Sequence, residues 1–132
     1  MIQAVHHIAI LASDYEKTRN FYVDLLGFRI VRENFREERQ DYKLDLELNG
    51  VELEIFAPAT PDREYKKHPK RLDFPEAYGL RHLAFYVENI EKTIEELEKK
   101  GVEIEPVRMD TYSGGKFTFF KDPDGLPLEL HE

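Results

Sequence analysis

The chain has 132 residues, a formal net charge of -8, 41% hydrophobic residues and no cysteine. This length fits one domain of ordinary size or two small modules that share a core. The acidic residues are dispersed, whereas phosphate binding needs a concentrated basic face, so nucleic acid is excluded as the main partner. The absence of cysteine excludes disulfides, thiolate metal sites and cysteine nucleophiles.

Neither a membrane span nor a targeting segment is predicted. No apolar stretch approaches the roughly 20 residues that a membrane-spanning helix requires. The first residues, MIQAVHH, lack the basic end and the apolar core of a signal peptide. We therefore expect a cytoplasmic protein with no membrane partner.

The first half of the sequence predicts a strand, a helix and three more strands. The helix is capped by Ser13 or Asp14 and ends at Gly27. Asn49-Gly50 is a strong signal for a two-residue hairpin between the last two strands. These elements form a first module over residues 5–57, whose predicted strands cover residues 5–11, 28–36, 42–48 and 51–56.

The same order of elements returns in a second module over residues 80–132. Its helix is capped near Asn89 and stops at Gly101. The predicted strands of this module cover residues 81–87, 103–109, 115–121 and 126–131.

A linker over residues 58–79 separates the two modules. It holds four of the seven prolines and has no sustained period. Its basic run KKHPKR (66–71) has two interpretations, a solvated linker or a segment that attracts an anionic substrate.

An internal repeat relates the two halves. A shift of 75 residues places His82 on His7, Asp124-Gly125 on Asn49-Gly50, and Glu129 on Glu54. Internal repeats of this kind indicate duplicated structural units. The sequence therefore predicts an α+β protein built from two tandem βαβββ modules.

Four residues of metal-ligand type are selected by the repeat. His7 and His82 lie on the first strands, and Glu54 and Glu129 lie on the last strands. Strand alternation directs the aliphatic residues of these strands to the opposite face, where the helices would pack. Two imidazoles and two carboxylates form a good site for a divalent ion, which neutralises both carboxylates. Nickel, cobalt and zinc are the expected ions, with iron and manganese as alternatives.

Neighbouring residues of similar chemistry do not follow the repeat. Glu52 corresponds to Pro127 and His6 to Arg81, neither of which can replace the ligand. His6 and His7 are expected on opposite faces of one strand, so they should not share a site. His131 shares a face with Glu129 and is a candidate for an outer position around the site.

Several segments together resemble the glyoxalase/bleomycin-resistance/extradiol-dioxygenase superfamily, the vicinal oxygen chelate proteins. They are HHIAILASDYEKTRNFYVDLLGF, LEIF, GLRHLAFYVENIEKTIEELEKKG and FTFFKDPDGLPLELHE. The resemblance is nearest to short bacterial glyoxalase-I-like proteins and implies two sheets that curl around a metal site. In such modules the first and last strands are neighbours. The resemblance also implies a homodimer that acts on a small molecule.

The ligand order of glyoxalase I falls on His7, Glu54, His82 and Glu129. The implied chemistry is proton transfer next to a metal-chelated carbonyl, with Glu129 as the first candidate base and Glu54 as its symmetric partner. The Arg and Asn that hold glutathione in those enzymes are replaced here by Leu11 and Pro58. The sequence therefore supports a lactoylglutathione lyase-like metal chemistry more strongly than a glutathione substrate.

Three other functions remain open. An extradiol-type dioxygenase uses two His and one Glu, and Glu54 would then occupy a position needed by catechol or oxygen. A non-catalytic protein of the bleomycin-sequestering type would bind its ligand without a metal. A metal-dependent antibiotic-modifying enzyme of the superfamily is a further option.

Overall fold

The computed structural model describes residues 1–61 and 78–132. The chain divides into two compact units, Met1–Lys66 and Lys67–Glu132. The basic run at 66–71, with its His68, lies outside the described residues. No helix in the described part of the chain is long and apolar enough to cross a membrane.

The first unit contains a four-stranded mixed sheet and one helix. In this sheet the strand order is β1-β4-β3-β2. The pair β1 and β4 is parallel, whereas the other neighbours are antiparallel. The helix continues beyond α1 as a π-helix over Asn20–Leu25. The elements are β1 (His7–Leu11), α1 (Tyr15–Arg19), β2 (Arg29–Arg36), β3 (Asp41–Leu48) and β4 (Val51–Pro58).

The second unit repeats this arrangement. Its strand order is β5-β8-β7-β6, and its first and last strands, β5 and β8, are again parallel. The predicted α+β class with two βαβββ modules is therefore confirmed. The elements are β5 (Leu83–Tyr86), α2 (Ile90–Lys99), β6 (Arg108–Met109), β7 (Lys116–Lys121) and β8 (Pro127–His131).

Both helices begin at the predicted caps. The Asp14 side chain accepts a hydrogen bond of 3.1 Å from the Lys17 backbone N–H, and Asn89 accepts one of 2.8 Å from that of Lys92. Each bond satisfies a backbone donor that the first helical turn leaves without a partner.

The predicted strand at 103–109 is mostly wrong, because only Arg108–Met109 pairs with β7. Pro106 lies within the predicted strand and has no N–H to donate to a ladder. The Glu105 carbonyl instead accepts a hydrogen bond of 2.6 Å from the Thr118 hydroxyl.

Two compensating one-residue insertions lie behind the gap-free repeat. From helix cap to terminal glycine, Asp14 to Gly27 spans 13 positions and Asn89 to Gly101 spans 12. The extra residue of the first helix is accommodated by its π-helical segment. The turn between β7 and β8 is one residue longer than its counterpart between β3 and β4, which restores the shift of 75 at the last strands.

The core of each unit lies on the aliphatic face of its sheet. Leu53 on β4 is 1% exposed, and its repeat equivalent Leu128 on β8 is 0% exposed. Burying a leucine side chain contributes about 1.5–3 kcal/mol relative to leaving it in water. The opposite face of each sheet carries the candidate ligands.

Replacing either equivalent leucine should destabilise the protein strongly. We expect Leu53→Ala and Leu128→Ala each to lower the free energy of unfolding by about 2–5 kcal/mol, since both remove buried methyl groups and leave a cavity. Denaturant unfolding followed by circular dichroism measures this loss. Val51→Ala, at an exposed position on β4, is the control and should change stability much less. A loss below about 1 kcal/mol for both variants would contradict the placement of both leucines in the cores of the two units.

Candidate metal centre

The parallel pairing of first and last strands has the same register in both units. Ala9 on β1 lies beside Glu54 on β4, and Ala84 on β5 lies beside Glu129 on β8. Each candidate histidine is two residues before its alanine: His7 is the first residue of β1, and His82 directly precedes β5. This arrangement brings one imidazole next to one carboxylate in each unit.

The two pairs differ in how closely their atoms approach. His7 Nε2 lies 3.8 Å from Glu54 Oε2, whereas His82 Nε2 lies 2.7 Å from Glu129 Oε2. Two ligands that are each about 2.1 Å from one ion lie about 3 Å apart when they subtend a right angle. Both pairs therefore have the donor atoms and the approximate spacing that a divalent ion requires.

The structure brings the four predicted ligands together as two pairs. Within residues 1–61 and 78–132, no three His, Cys, Asp or Glu side chains gather into a group that could hold an ion.

The imidazole of His82 offers a further test of fit. Its Nδ1 is buried and has no hydrogen-bond partner among the described residues, while its Nε2 faces Glu129. A hydrogen bond from Nε2 to the Glu129 carboxylate places the ring proton on Nε2, and an ion bound between the two groups would replace that proton. The donor set fits a metal of the zinc, nickel or cobalt type.

The expected separation of His6 from His7 is wrong. Their Nδ1 atoms lie 2.9 Å apart, and their rings meet edge to face with centroids 5.2 Å apart. β1 begins at His7, so His6 lies outside the strand and strand alternation does not govern its side chain. One Nδ1 must donate and the other accept. Because the His7 Nε2 faces Glu54, the His6 ring is placed to fix the tautomer of His7.

A network of ion pairs surrounds Glu54, and the sequence interpretation missed it. Lys43 Nζ lies 3.2 Å from Glu54 Oε2 and 3.0 and 3.1 Å from the two Asp45 oxygens. Arg32 Nε donates to Asp45 at 3.0 Å. Asp45 is only 2% exposed, so its charge depends on these two cations.

The network shifts the protonation equilibria of its members. Hydrogen bonds to Asp45 and Glu54 raise the pKa of Lys43 above its usual value, against the lowering effect of burial. Burial alone would raise the pKa of Asp45, but the hydrogen bonds from Lys43 and Arg32 outweigh it and lower that pKa. Both residues are therefore charged at neutral pH.

The corresponding place in the second unit is aromatic. Asp45 lies across from Glu54, whereas Phe119 lies across from Glu129, and Phe117 takes the position of Lys43. The Phe119 ring meets His82 edge to face, with centroids 5.3 Å apart. Glu129 thus has an imidazole and an aromatic ring as neighbours where Glu54 has a lysine.

The remaining residues from the sequence interpretation lie at the margins. His131 stacks on Phe117, and its Nε2 lies 4.0 Å from Asp110 Oδ2. Leu11 ends β1 and is mostly exposed, and Pro58 ends β4.

The missed network carried one usable signal. A two-residue turn at Asn49-Gly50 fixes the register of β3 against β4, and this register places Asp45 opposite Glu54. Lys43 follows on the same face because alternate residues share a face.

Two βαβββ modules, each with a His at its first strand and a Glu on its last, define the class of vicinal oxygen chelate folds. Residues 4–130 match the Glyoxalase/Bleomycin resistance protein/Dioxygenase superfamily, and the chain belongs to this superfamily.

The chain is also similar to individual proteins over its whole length. It is 52% identical to the uncharacterised Bacillus subtilis (strain 168) protein YwkD, covering 100% of this chain and 98% of that protein. It is 48% identical to the uncharacterised Escherichia coli (strain K12) protein YaeR, with 99% and 97% covered. A crystal structure of a glyoxalase family protein from Enterococcus faecalis is 55% identical, with 98% of both chains covered and a TM-score of 0.85.

More distant relatives have named activities. Haemophilus influenzae lactoylglutathione lyase is 28% identical, with 96% of this chain and 90% of the enzyme covered. Staphylococcus saprophyticus metallothiol transferase FosB is 30% identical, with 99% and 78% covered. A variant of the fosfomycin resistance protein FosX from Listeria monocytogenes, crystallised with Mn(II), shares the fold at 22% identity over 99% of this chain and 90% of that one, with a TM-score of 0.73.

Neutralising Asp45 should cost stability. We expect Asp45→Asn to lower the free energy of unfolding by about 1–3 kcal/mol near pH 7, because Lys43 and Arg32 lose a charged acceptor. The folded-state pKa of Asp45 is lowered, so its contribution is present above the unfolded value of about 3.9 and is lost as the pH falls through the folded value.

Urea titrations from pH 3 to pH 8 measure the difference between wild type and Asp45→Asn. We expect the difference to be constant above about pH 5 and to shrink below about pH 4. Glu33→Gln is the control, because Glu33 lies at an exposed position on β2, where it pairs with Arg19. A difference that persists unchanged at pH 3 would contradict the ionic role of Asp45.

Proposed function

We propose that this protein is a metal-dependent lyase or isomerase of the glyoxalase I type. In this proposal His7, Glu54, His82 and Glu129 hold one divalent ion, and the substrate is a small molecule with adjacent oxygens. The observation that carries it is the His–Glu pair that recurs at the same strand register in both units. The 28% identity with lactoylglutathione lyase supports the reaction class.

When bound, a divalent ion would polarise a substrate carbonyl and so make the adjacent carbon–hydrogen bond acidic. Glu129 then removes the proton from that carbon and returns it to the neighbouring position. The contrast between the two carboxylates supports this assignment, since Glu54 is already bound by Lys43, whereas Glu129 contacts an imidazole beside an aromatic ring. His7, His82 and Glu54 keep the ion in place.

Recognition of a thiol co-substrate is a separate part of the proposal. Leu11 and Pro58 offer no charged or amide group to a glutathione carboxylate. We therefore propose a substrate whose recognition does not depend on those two positions. We also propose that the protein acts as a homodimer in the cytoplasm, and light scattering on the purified chain tests the dimer.

Metal content gives the first test. We expect the purified wild-type protein to carry one Ni, Co or Zn per site by elemental analysis, and to regain it after chelation. His7→Ala and His82→Ala should each lower the affinity by at least about tenfold, since each removes a nitrogen ligand. Glu47→Gln, a carboxylate on the same face of the first sheet, is the matched control. Stoichiometric metal in both histidine variants would contradict the proposed ligand set.

Proton transfer gives the second test. We expect Glu129→Gln to retain the metal but to lower kcat by about 10²–10⁴-fold, which is the usual contribution of a general base. Glu54→Gln should mainly lower metal affinity. The assay uses hemithioacetals of methylglyoxal with several thiols and an acyl-thioester epimer, and deuterium exchange from solvent is followed by NMR. No turnover with any of these after loading with Ni, Co or Zn would reject the lyase or isomerase assignment.

A second candidate function is metal-dependent thiol transfer to an antibiotic. The 30% identity with FosB over nearly the whole chain favours it. Conversion of fosfomycin in the presence of a thiol, without turnover of hemithioacetals, would support this candidate instead. Oxygen uptake with catechols after anaerobic iron loading would indicate a dioxygenase.

A further inference from the structure

The two His–Glu pairs have different geometries, and Lys43 accompanies the difference. Where Lys43 lies 3.2 Å from Glu54 Oε2, that oxygen is 3.8 Å from His7 Nε2. In the second unit, which has no lysine at this place, Glu129 Oε2 and His82 Nε2 approach to 2.7 Å. The carboxylate with a lysine thus remains separate from its imidazole, and the carboxylate without one forms a direct hydrogen bond.

The strand register shows that this is a substitution within one framework. Lys43 pairs with Phe56 on β4, and Phe117 pairs with His131 on β8. Phe56 and His131 are equivalent under the repeat, so Phe117 occupies the place of Lys43. The two units therefore differ in the side chain that contacts the carboxylate while their strand pairing is the same.

Asp45 offsets the positive charge of Lys43. Both of its carboxylate oxygens lie within 3.1 Å of Lys43 Nζ, and its buried position keeps the pair together. A lone ammonium beside a ligand oxygen would repel a divalent ion. Arg32, the second cation on Asp45, also lies 3.9 Å from Glu52. The two cations thus face three carboxylates, and Lys43 donates a hydrogen bond to Glu54 without leaving excess positive charge.

We propose that Lys43, neutralised by Asp45, is a positioning residue that holds the Glu54 carboxylate apart from His7 as a preset metal ligand. This inference rests on the proposed function, because it assumes that Glu54 binds the ion. Groups that orient metal ligands typically contribute 10–100-fold to metal affinity. The lysine therefore contributes to affinity through Glu54 and not by contact with the ion.

Cobalt titration of the full chain tests the role of Lys43. The main variant is the double substitution Lys43→Met with Asp45→Asn, which removes one charge of each sign and so separates position from net charge. We expect its Kd for Co²⁺ to rise by about 10–100-fold. Lys43→Arg keeps the cationic donor and should stay within about threefold of wild type. Lys116→Met, which removes a lysine paired with Glu91 on the second unit, is the matched control.

Combination with Glu54→Gln separates positioning from a general structural effect. If Lys43 acts through Glu54, the double substitution should weaken Co²⁺ binding by less than about twofold in the Glu54→Gln background. The proposal would be overturned if the double substitution weakened Co²⁺ binding equally in the wild-type and Glu54→Gln backgrounds. It would also be overturned if Co²⁺ binding in the wild-type background were unchanged or tighter. The visible absorption of bound Co²⁺ reports whether a ligand has been lost, independently of activity.

Two further outcomes are distinguishable. If wild type binds no Co²⁺, or if Glu54→Gln leaves its affinity unchanged, the proposed metal site itself is wrong and the Lys43 proposal falls with it. If Glu54→Gln weakens binding but the Lys43 variants do not, only the Lys43 proposal is wrong. Circular dichroism checks folding, and should the methionine variant fail to fold, Lys43→Gln with Asp45→Asn is judged by the same criteria.

Discussion

Parallel pairing between the first and last strand of each module is the constraint on which the candidate centre depends. A parallel pair cannot be closed by a tight turn, so the helix and two strands must intervene between His7 and Glu54 in the sequence. Because β4 pairs with β1, it lies beside the first strand, and His7 and Glu54 lie on the same face of the sheet near the start of β1. The same pairing in the second unit does this for His82 and Glu129. Residues 47 positions apart thereby become neighbours, and the helix covers the other face.

The constant shift of 75 residues between the two halves holds at the first and last strands of each module but not at the strands between them. A shift of 75 relates β1 to β5 and β4 to β8, and these strands position the candidate ligands. Between them, the π-helical residue at Asn20–Leu25 and the longer turn before β8 offset each other, so β3 and β7 correspond with a shift of 74. Alignment by 75 would pair Asp45 with Phe120, which is buried in the core. The strand register pairs it with Phe119, beside Glu129.

The architecture and the proximity of one His to one Glu in each unit could be predicted because they depend on short-range rules and on the repeat. Helix caps, a two-residue hairpin and strand alternation act over a few residues, and the repeat then supplied the partners. The predicted strand at 103–109 was mostly wrong because Pro106 cannot donate a hydrogen bond to the neighbouring strand, and a pattern of apolar residues does not show this. The expected separation of His6 from His7 was wrong because β1 begins at His7, two residues later than predicted, so that His6 lies outside the strand. The Lys43–Asp45–Arg32 network depends on the register between three strands, which no single-strand pattern contains.

In the proposed mechanism, the difference between the two units gives the carboxylates of Glu54 and Glu129 different roles. With identical halves, the two carboxylates would be equivalent and neither would be preferred as base. The hydrogen bond from Lys43 restrains Glu54, since any movement of this carboxylate away from its place would break that contact. Glu129 instead contacts His82 beside an aromatic ring, and Phe117 takes the place of the lysine. In the proposed mechanism, duplication thus supplies the four ligands, and divergence on the adjacent strand distinguishes Glu54, which stays on the ion, from Glu129, which acts as base.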